Sequence, residues 1–277
     1  MNKGFLLNLR PERKKVDLYN LFLVLMVVSV LIFLLLPIFI TVLVSFSRGD
    51  YIIFPPEGVS FRWYRRFLED FDWVRVFENS LFIAISTMLI STSVGIFASL
   101  GYMKKEFKGK SLINLSIMLP FLIPGILIGI SGLMFAYKIG LVGTYIIVIL
   151  GHSLWGIPAV FLIMQAVLAG FDFSVEEAAR DLGAGPVKTF FLVTLPLIKP
   201  GVFASLIFSF IISFGEFSIA LFLTSSGTTT LPVKIWGSLK YELSPITAAV
   251  ASMMIFVTLI GIVIAGKVIG VEKISKF

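Results

Sequence analysis

Cysteine is absent from this 277-residue chain, histidine occurs once, at His152, and charged residues make up only 14% of it. Without cysteine there is no disulfide framework and no thiolate metal site, and a single histidine argues against a histidine-based metal centre. A soluble domain carries about a quarter charged residues, so this composition does not suit a water-exposed globule. No Gly-x-x-x-x-Gly-Lys-Ser/Thr run occurs, and the glycines lie in apolar runs or tight turns, so the chain has no phosphate-cradling loop of its own. Nor does it show a convincing nucleophile–base pair, and it is read as no enzyme and without a cofactor of its own. The net charge of +7 is scattered among short connections with no RNA- or DNA-binding pattern, which excludes a nucleic-acid partner.

What is abundant is apolar sequence: 58% of the residues are hydrophobic. Runs of about 20 apolar residues recur, each long enough to cross a hydrocarbon core of about 30 Å. They lack the alternation of barrel strands, so the expected fold is all-α, a polytopic membrane protein with six transmembrane helices. The expected spans are Leu18–Val44, Ser80–Tyr102, Leu112–Tyr137, Thr144–Leu168, Val202–Leu223 and Ile246–Val268. Residues 1–17 then form an N-terminal segment, 18–268 the membrane domain and 269–277 a tail. The first apolar stretch is too long for a cleavable signal peptide, and no small-residue cleavage site follows it.

Charge orients the bundle. One aqueous side collects fifteen Lys and Arg, from Lys3, Arg10, Arg13, Lys14 and Lys15 through Lys104, Lys105, Lys108, Lys110, Arg180, Lys188 and Lys199 to Lys267, Lys273 and Lys276, against eight on the other. The positive-inside rule places both termini and the 170–200 loop in the cytoplasm of a multi-pass protein of the cytoplasmic membrane. Segment 48–79 is then external. Its Phe61-Arg62-Trp63-Tyr64 and Phe71-Asp72-Trp73 clusters suit an amphipathic helix at the lipid interface, either as a simple anchor or as a docking surface for an external protein.

The third span contains Leu119-Pro120-Phe121-Leu122-Ile123-Pro124-Gly125, which predicts a kinked, closely packed core helix or a hinge. In the fourth span His152 is read as structural before it is read as a proton carrier. The fifth span holds the one acidic residue expected within a span, Glu216. Ser205, Ser209, Ser213 and Glu216 follow spacings of four, four and three, which would share one helical face. Ser209, Ser213 and Glu216 are therefore candidate translocation-pathway residues. The competing reading makes Glu216 a polar clamp between helices.

The most distinctive segment is a polar island between two apolar spans. Asp172, Glu176, Glu177, Arg180 and Asp181 crowd it, and lipid would cost such groups several kcal/mol each, by order of magnitude about 3. It belongs in water or in a protein socket. Ser174 with Glu177 is spaced as a capping box, Gly183 predicts a helix stop, and Gly185-Pro186 a second bend. A second short helix, Val187–Leu195, is expected to end before Pro196, giving two short helices in an L. The order Glu177-Ala178-Ala179, three residues, Gly183, nine residues, Val193-x-Leu195-Pro196 resembles the EAA signature of ABC importer permeases, with Val193 where isoleucine is usual.

That resemblance implies a six-helix, MetI-like permease fold with cytoplasmic coupling helices. Glu177, Ala178, Ala179, Gly183, Leu195 and Pro196 would carry the contact with a separate ATPase. It also implies the partners: a second permease subunit, two ATPase subunits that bind ATP and magnesium, an extracytoplasmic substrate-binding protein, and membrane lipid. Ser213-Phe214-Gly215-Glu216-Phe217, the Thr228–Trp236 segment and Leu243-Ser244-Pro245-Ile246-Thr247-Ala248-Ala249-Val250 resemble the second permease of spermidine/putrescine-type importers. The usual fifth-span motif there is Ser-Phe-Asp-Asp/Glu-Phe, and Gly215 replaces its first acid. A polyamine is the substrate that resemblance implies. Permeases for thiamine, iron, oxyanions or phosphonates are the alternative, followed by a secondary transporter that works without ATP.

Overall fold

The computed structural model describes residues 18–241 and 244–269. The expected segment 1–17 and the tail beyond Ile269, with their basic residues, lie outside the described residues, as does Leu243 of the motif above. Five described helices are long and apolar enough to cross a membrane, and a bent pair makes a sixth if it is one span. Helix α1, Leu18–Ser45, is apolar all round, and none of its membrane-length stretch is buried within the chain. Such a surface requires lipid or another subunit around it. It joins the bundle along the last helix.

The segment expected to be external packs one face against the bundle. Helix α2, Arg62–Glu69, is amphipathic as expected, but its Trp63 and Phe67 are buried in a protein cluster with Trp73, Val76, Phe214 and Ile246. Its outer face keeps the Arg65–Glu69 pair at 2.8 Å. The second span begins much earlier than Ser80. Helix α3 runs from Phe71 to Lys104, because the Asp70 carboxylate caps it, accepting from the backbone N–H of Asp72 at 2.9 Å and Trp73 at 3.2 Å. The Phe71-Asp72-Trp73 cluster is thus the first turn of a membrane helix.

The third span is broken outright, where a kinked core helix was expected. Helices α4, Lys110–Leu122, and α5, Gly125–Ile139, meet at 99°. Pro124 excludes a helical conformation at Ile123, which is extended. The carbonyl of Pro120 accepts from Trp155 Nε1 at 3.1 Å on the next span, which compensates part of the break. None of the residues of α4 is buried within the chain, so this half is no core helix.

The core is built by α3, by α6, Tyr145–Leu168, and by a helix in the fifth span. The intervening chain supplies α7, Ser174–Asp181, and α8, Pro186–Thr189. Then α9, Leu195–Phe214, and α10, Ala220–Leu223, make up the fifth span, α11 covers Leu231–Tyr241, and α12 covers Pro245–Ile269. The first, fourth and sixth spans agree with the sequence reading to within one residue at each end. α3, α6 and α9 approach closely where one of them has glycine. A Cβ on Gly95 would lie 2.5 Å from Val160 Cγ1, and one on Gly156 would lie 2.3 Å from Ser91 Oγ.

That contact generates a stability prediction. Gly156→Ala also brings its Cβ within 2.8 Å of Ser91 Cβ, which no rotation of the serine relieves. Overpacking of this kind costs about 1–3 kcal/mol. At Gly101 an added Cβ meets nothing within 4 Å, so Gly101→Ala should gain about 0.5–1 kcal/mol of helix propensity. Thermal unfolding in detergent should fall for the first variant and hold or rise for the second. Equal midpoints would contradict the packing of α3 on α6.

Candidate functional site

The polar island folds as predicted in outline and differently in detail. α7 starts at Ser174 itself, and the expected Ser174–Glu177 capping box does not form. Asp172 does the capping instead, since its Oδ1 accepts from the Ser174 N–H at 3.0 Å. Hydrogen bonding from Ser174 holds the Asp172 carboxyl below the ordinary carboxylate range. The serine is already helical, and a side chain inside the first turn cannot reach back as an N-cap does.

The far end follows the reading closely. Gly183 is left-handed, with φ of 87°. Its N–H donates to Arg180 O at 2.8 Å, and the Ala184 N–H donates to Ala179 O at 3.1 Å. These two bonds make a Schellman stop. Beyond Gly185 the expected short helix does not end before Pro196. Residues 186–214 run on as one 29-residue helix, with Pro196 in the first turn of α9. A π-helical turn at Phe190–Thr194 makes this possible, its last bond running from the Leu195 N–H back to Phe190 O. A widened turn before a proline absorbs the missing donor without breaking the axis. The second arm of the L is therefore the membrane helix itself.

Of the candidate contact residues, Glu177, Ala178, Gly183 and Pro196 are exposed, and Ala179 and Leu195 are half-buried. Leu182, at the tip, is 89% exposed, and Val187 beyond the turn is also open. Glu176 faces the other way. It is the one buried residue of α7, 3% exposed. Its Oε2 lies 2.6 Å from Lys104 Nζ and 3.7 Å from Arg180, while its Oε1 accepts from Thr194 Oγ1 at 2.6 Å. Burial pushes the Glu176 carboxyl up, but hydrogen bonds from Lys104 and Thr194 and the charges of Lys104 and Arg180 outweigh it and hold the group below the ordinary range. The sequence reading stressed Glu177 and passed over this role of Glu176. The only available signals were its spacing of four from Arg180 and the lysine closing the second span.

A second polar constellation joins α6 to the fifth span. The helix ends at Phe214, short of the predicted Leu223, so Glu216 does not continue the face of Ser205, Ser209 and Ser213. It sits in the break before α10. Its two oxygens accept from the backbone N–H of Ile219 and of Ala220, each at 2.8 Å. His152 Nδ1 is 2.8 Å from Ser213 Oγ, and its Nε2 lies 3.4 Å from Glu216 Oε2. Ser209, Ser213, His152 and Glu216 are all buried. Gly215 ends the helix, and the carboxylate then satisfies amides that would otherwise be orphaned in an apolar interior. The geometry is that of a clamp across α6, α9 and α10.

A third cluster lay outside the sequence reading. The Asn79 side chain donates to the carbonyls of Gly227 at 3.0 Å and Thr229 at 3.1 Å, and accepts from Tyr145 Oη at 2.6 Å. Ser80 Oγ accepts the Leu231 N–H at 2.7 Å. The loop after α10 is thereby tied to α3 and α6.

Residues 91–268 match the family described as the binding-protein-dependent transport system inner membrane component. The chain belongs to that family, and is a membrane-embedded permease of the ABC importer class. It is 27% identical over 241 residues to the spermidine/putrescine transport system permease protein PotC of Escherichia coli (strain K12), covering 87% of this chain and 90% of that one. It is 32% identical over 177 residues to the molybdenum transport system permease protein ModB of Haemophilus influenzae, covering 58% and 77%. Its fold matches a chain from a bacterial alginate ABC transporter in complex with an alginate pentasaccharide-bound periplasmic protein, with TM-score 0.66, 17% identity and coverage of 91% and 92%.

Two expected outcomes follow from these geometries. Glu216→Ala leaves the Ile219 and Ala220 amides without acceptors, at about 1–3 kcal/mol for each buried group. Glu216→Gln retains one acceptor oxygen and should lose less. Thermal unfolding that ranks alanine no lower than glutamine would remove the clamp. For Glu176, a lowered folded pKa means that its stabilisation is present above the ordinary value of about 4.3 and lost as pH falls through the folded value. Amide exchange in α7, corrected for intrinsic rates, should stay slow from neutral pH down to that range and then accelerate. Glu176→Gln should abolish the acid step.

Proposed function

We propose that this chain is one of two permease subunits that together enclose the path of an ABC importer, with both termini and the 170–200 segment in the cytoplasm. The α7–Gly183–α8 tip seats in a groove of a separate ATPase subunit, two of which bind and hydrolyse ATP with magnesium. One observation carries this reading: α7 turns its carboxylate Glu176 inward and leaves Leu182 at 89% exposure on its tip. A large apolar side chain beside exposed charges Glu177 and Asp181 is what a helix-in-groove contact needs, an anchor with a polar rim. Glu177, Ala178, Ala179 and Gly183 complete the proposed contact. The through-running helix at Leu195-Pro196 then carries the displacement into the membrane.

The substrate proposed is a polyamine, delivered by an external binding protein. Support comes from the similarity to PotC along most of both chains. The similarity to ModB favours an oxyanion as the second reading. In this conformation Ser209, Ser213 and Glu216 are enclosed by neighbouring helices, so the proposed path is shut at their level and opens when α9 parts from α6.

The test uses the complete complex in proteoliposomes with its binding protein inside the assay. Saturable, ATP-dependent uptake of labelled spermidine or putrescine is expected. Uptake of molybdate with none of either polyamine would replace the substrate and leave the transporter class standing. Gly183→Pro or Glu177→Lys should leave membrane insertion intact and lower transport per ATP hydrolysed. A wild-type ratio in both variants would overturn the coupling role.

A further inference from the structure

A helix of eight residues that receives a mechanical push needs a seat, and α7 has an unusual one. Helices normally rest on an apolar stripe, yet the single buried residue of α7 is a carboxylate. Apolar contacts are non-directional and permit sliding. A carboxylate held at both oxygens by groups on two different elements fixes position and orientation together. Here Lys104 is the last residue of α3 and Thr194 closes the π turn at the head of α9, so two of the three core helices meet at one side chain.

The surroundings keep the joint aligned. Lys104 Nζ also lies 5.9 Å from the Phe173 ring, and Phe173 packs edge-on to Phe171 at 4.9 Å. Leu100, Leu168 and Phe190 belong to the apolar cluster beneath. Arg180, one turn further along α7, adds a second cation at 3.7 Å while staying half in solvent. Gly183 closes the exposed end of α7 with its left-handed turn and the two backbone bonds of the Schellman stop. A push on the tip is therefore received by a short helix that is closed at its exposed end and pinned toward the bundle.

We propose that Glu176, pinned by Lys104 and Thr194, is the positioning residue that transmits displacement of α7 to the second and fifth membrane helices at once. The inference rests on the coupling role proposed above. It assigns to Glu176 a task distinct from that of Glu177. Glu177 faces the partner, and Glu176 faces the bundle. Removal of Glu176 should leave the ATPase bound and hydrolysing while the membrane helices stop responding. Loss of Glu177 should weaken the ATPase contact itself.

The absence of native cysteine makes a direct measurement possible. Spin labels at Phe71→Cys, at the start of α3, and Tyr137→Cys, near the end of α5, occupy exposed positions, 76% and 81%. In the full complex, the distance change between them on adding ATP is compared with co-purification of the ATPase subunits. In Glu176→Leu the subunits should co-purify at the wild-type ratio, while the ATP-driven change falls by more than half. The swap Glu176→Lys with Lys104→Glu should restore a substantial part of it, since a threonine hydroxyl accepts as readily as it donates. A full distance change in Glu176→Leu overturns the strut and leaves the coupling role standing. Failure of the ATPase to co-purify with the unsubstituted permease overturns the coupling role, and the strut with it. Should Glu176→Leu lose the ATPase, Glu176→Gln and Lys104→Met decide by the same distance: a full change in both overturns the proposal, and a diminished change in both sustains it.

Discussion

Everything else in this molecule depends on how closely α3, α6 and α9 approach one another. Within a bilayer there is no gain from hiding apolar surface from water, so helices associate through contact and through polar groups that meet across them. Gly95 against Val160 and Gly156 against Ser91 remove the side chains that would hold the helices apart. Once the axes are that close, short polar side chains reach across. His152 meets Ser213, and Asn79 and Tyr145 close the loop after α10. At the other end the same arrangement brings the end of α3 beside the head of α9.

The two ends use their acids in opposite surroundings. Glu216 is answered by backbone amides and a histidine, so its carboxylate closes a break in a helix and holds three elements together. Glu176 is answered by a lysine, an arginine and a threonine, so its carboxylate ties a short surface helix to two long ones. In each case burying the acid is tolerable only because both oxygens find donors. A hydrophobic residue at either place would leave those donors without acceptors and would not fix direction.

Much of this was legible in the residues. Apolar runs of membrane length, the three sharply bounded spans, the stop at Gly183 and the exposed polar island all follow from local rules that act within a few residues. Three boundaries were not. Asp70 lengthened α3, because a cap outside the apolar run decides where a helix starts. Pro124 broke the third span by 99° where a kink was expected, because Ile123 before it is held extended and the Pro120 carbonyl found a donor in Trp155 on another helix. Pro196 did not end the short helix before it, because a π turn upstream took up its missing donor. Glu176 was overlooked since the neighbouring Glu177 carried the familiar spacing and its own partners lie on distant segments.

By itself the sequence determined the class: a helical membrane protein with a charged handle, since hydropathy, charge bias and motif spacing are properties of neighbouring residues and of the bilayer. Tertiary structure alone decided which of two adjacent glutamates faces inward, and whether Glu216 extends a helical face or caps a break. The physical reason is range. Lys104 and Thr194 are far from Glu176 along the chain, as His152 is from Glu216. Only the packing of α3, α6 and α9 brings such groups within hydrogen-bonding distance, and no periodicity in the sequence encodes that meeting.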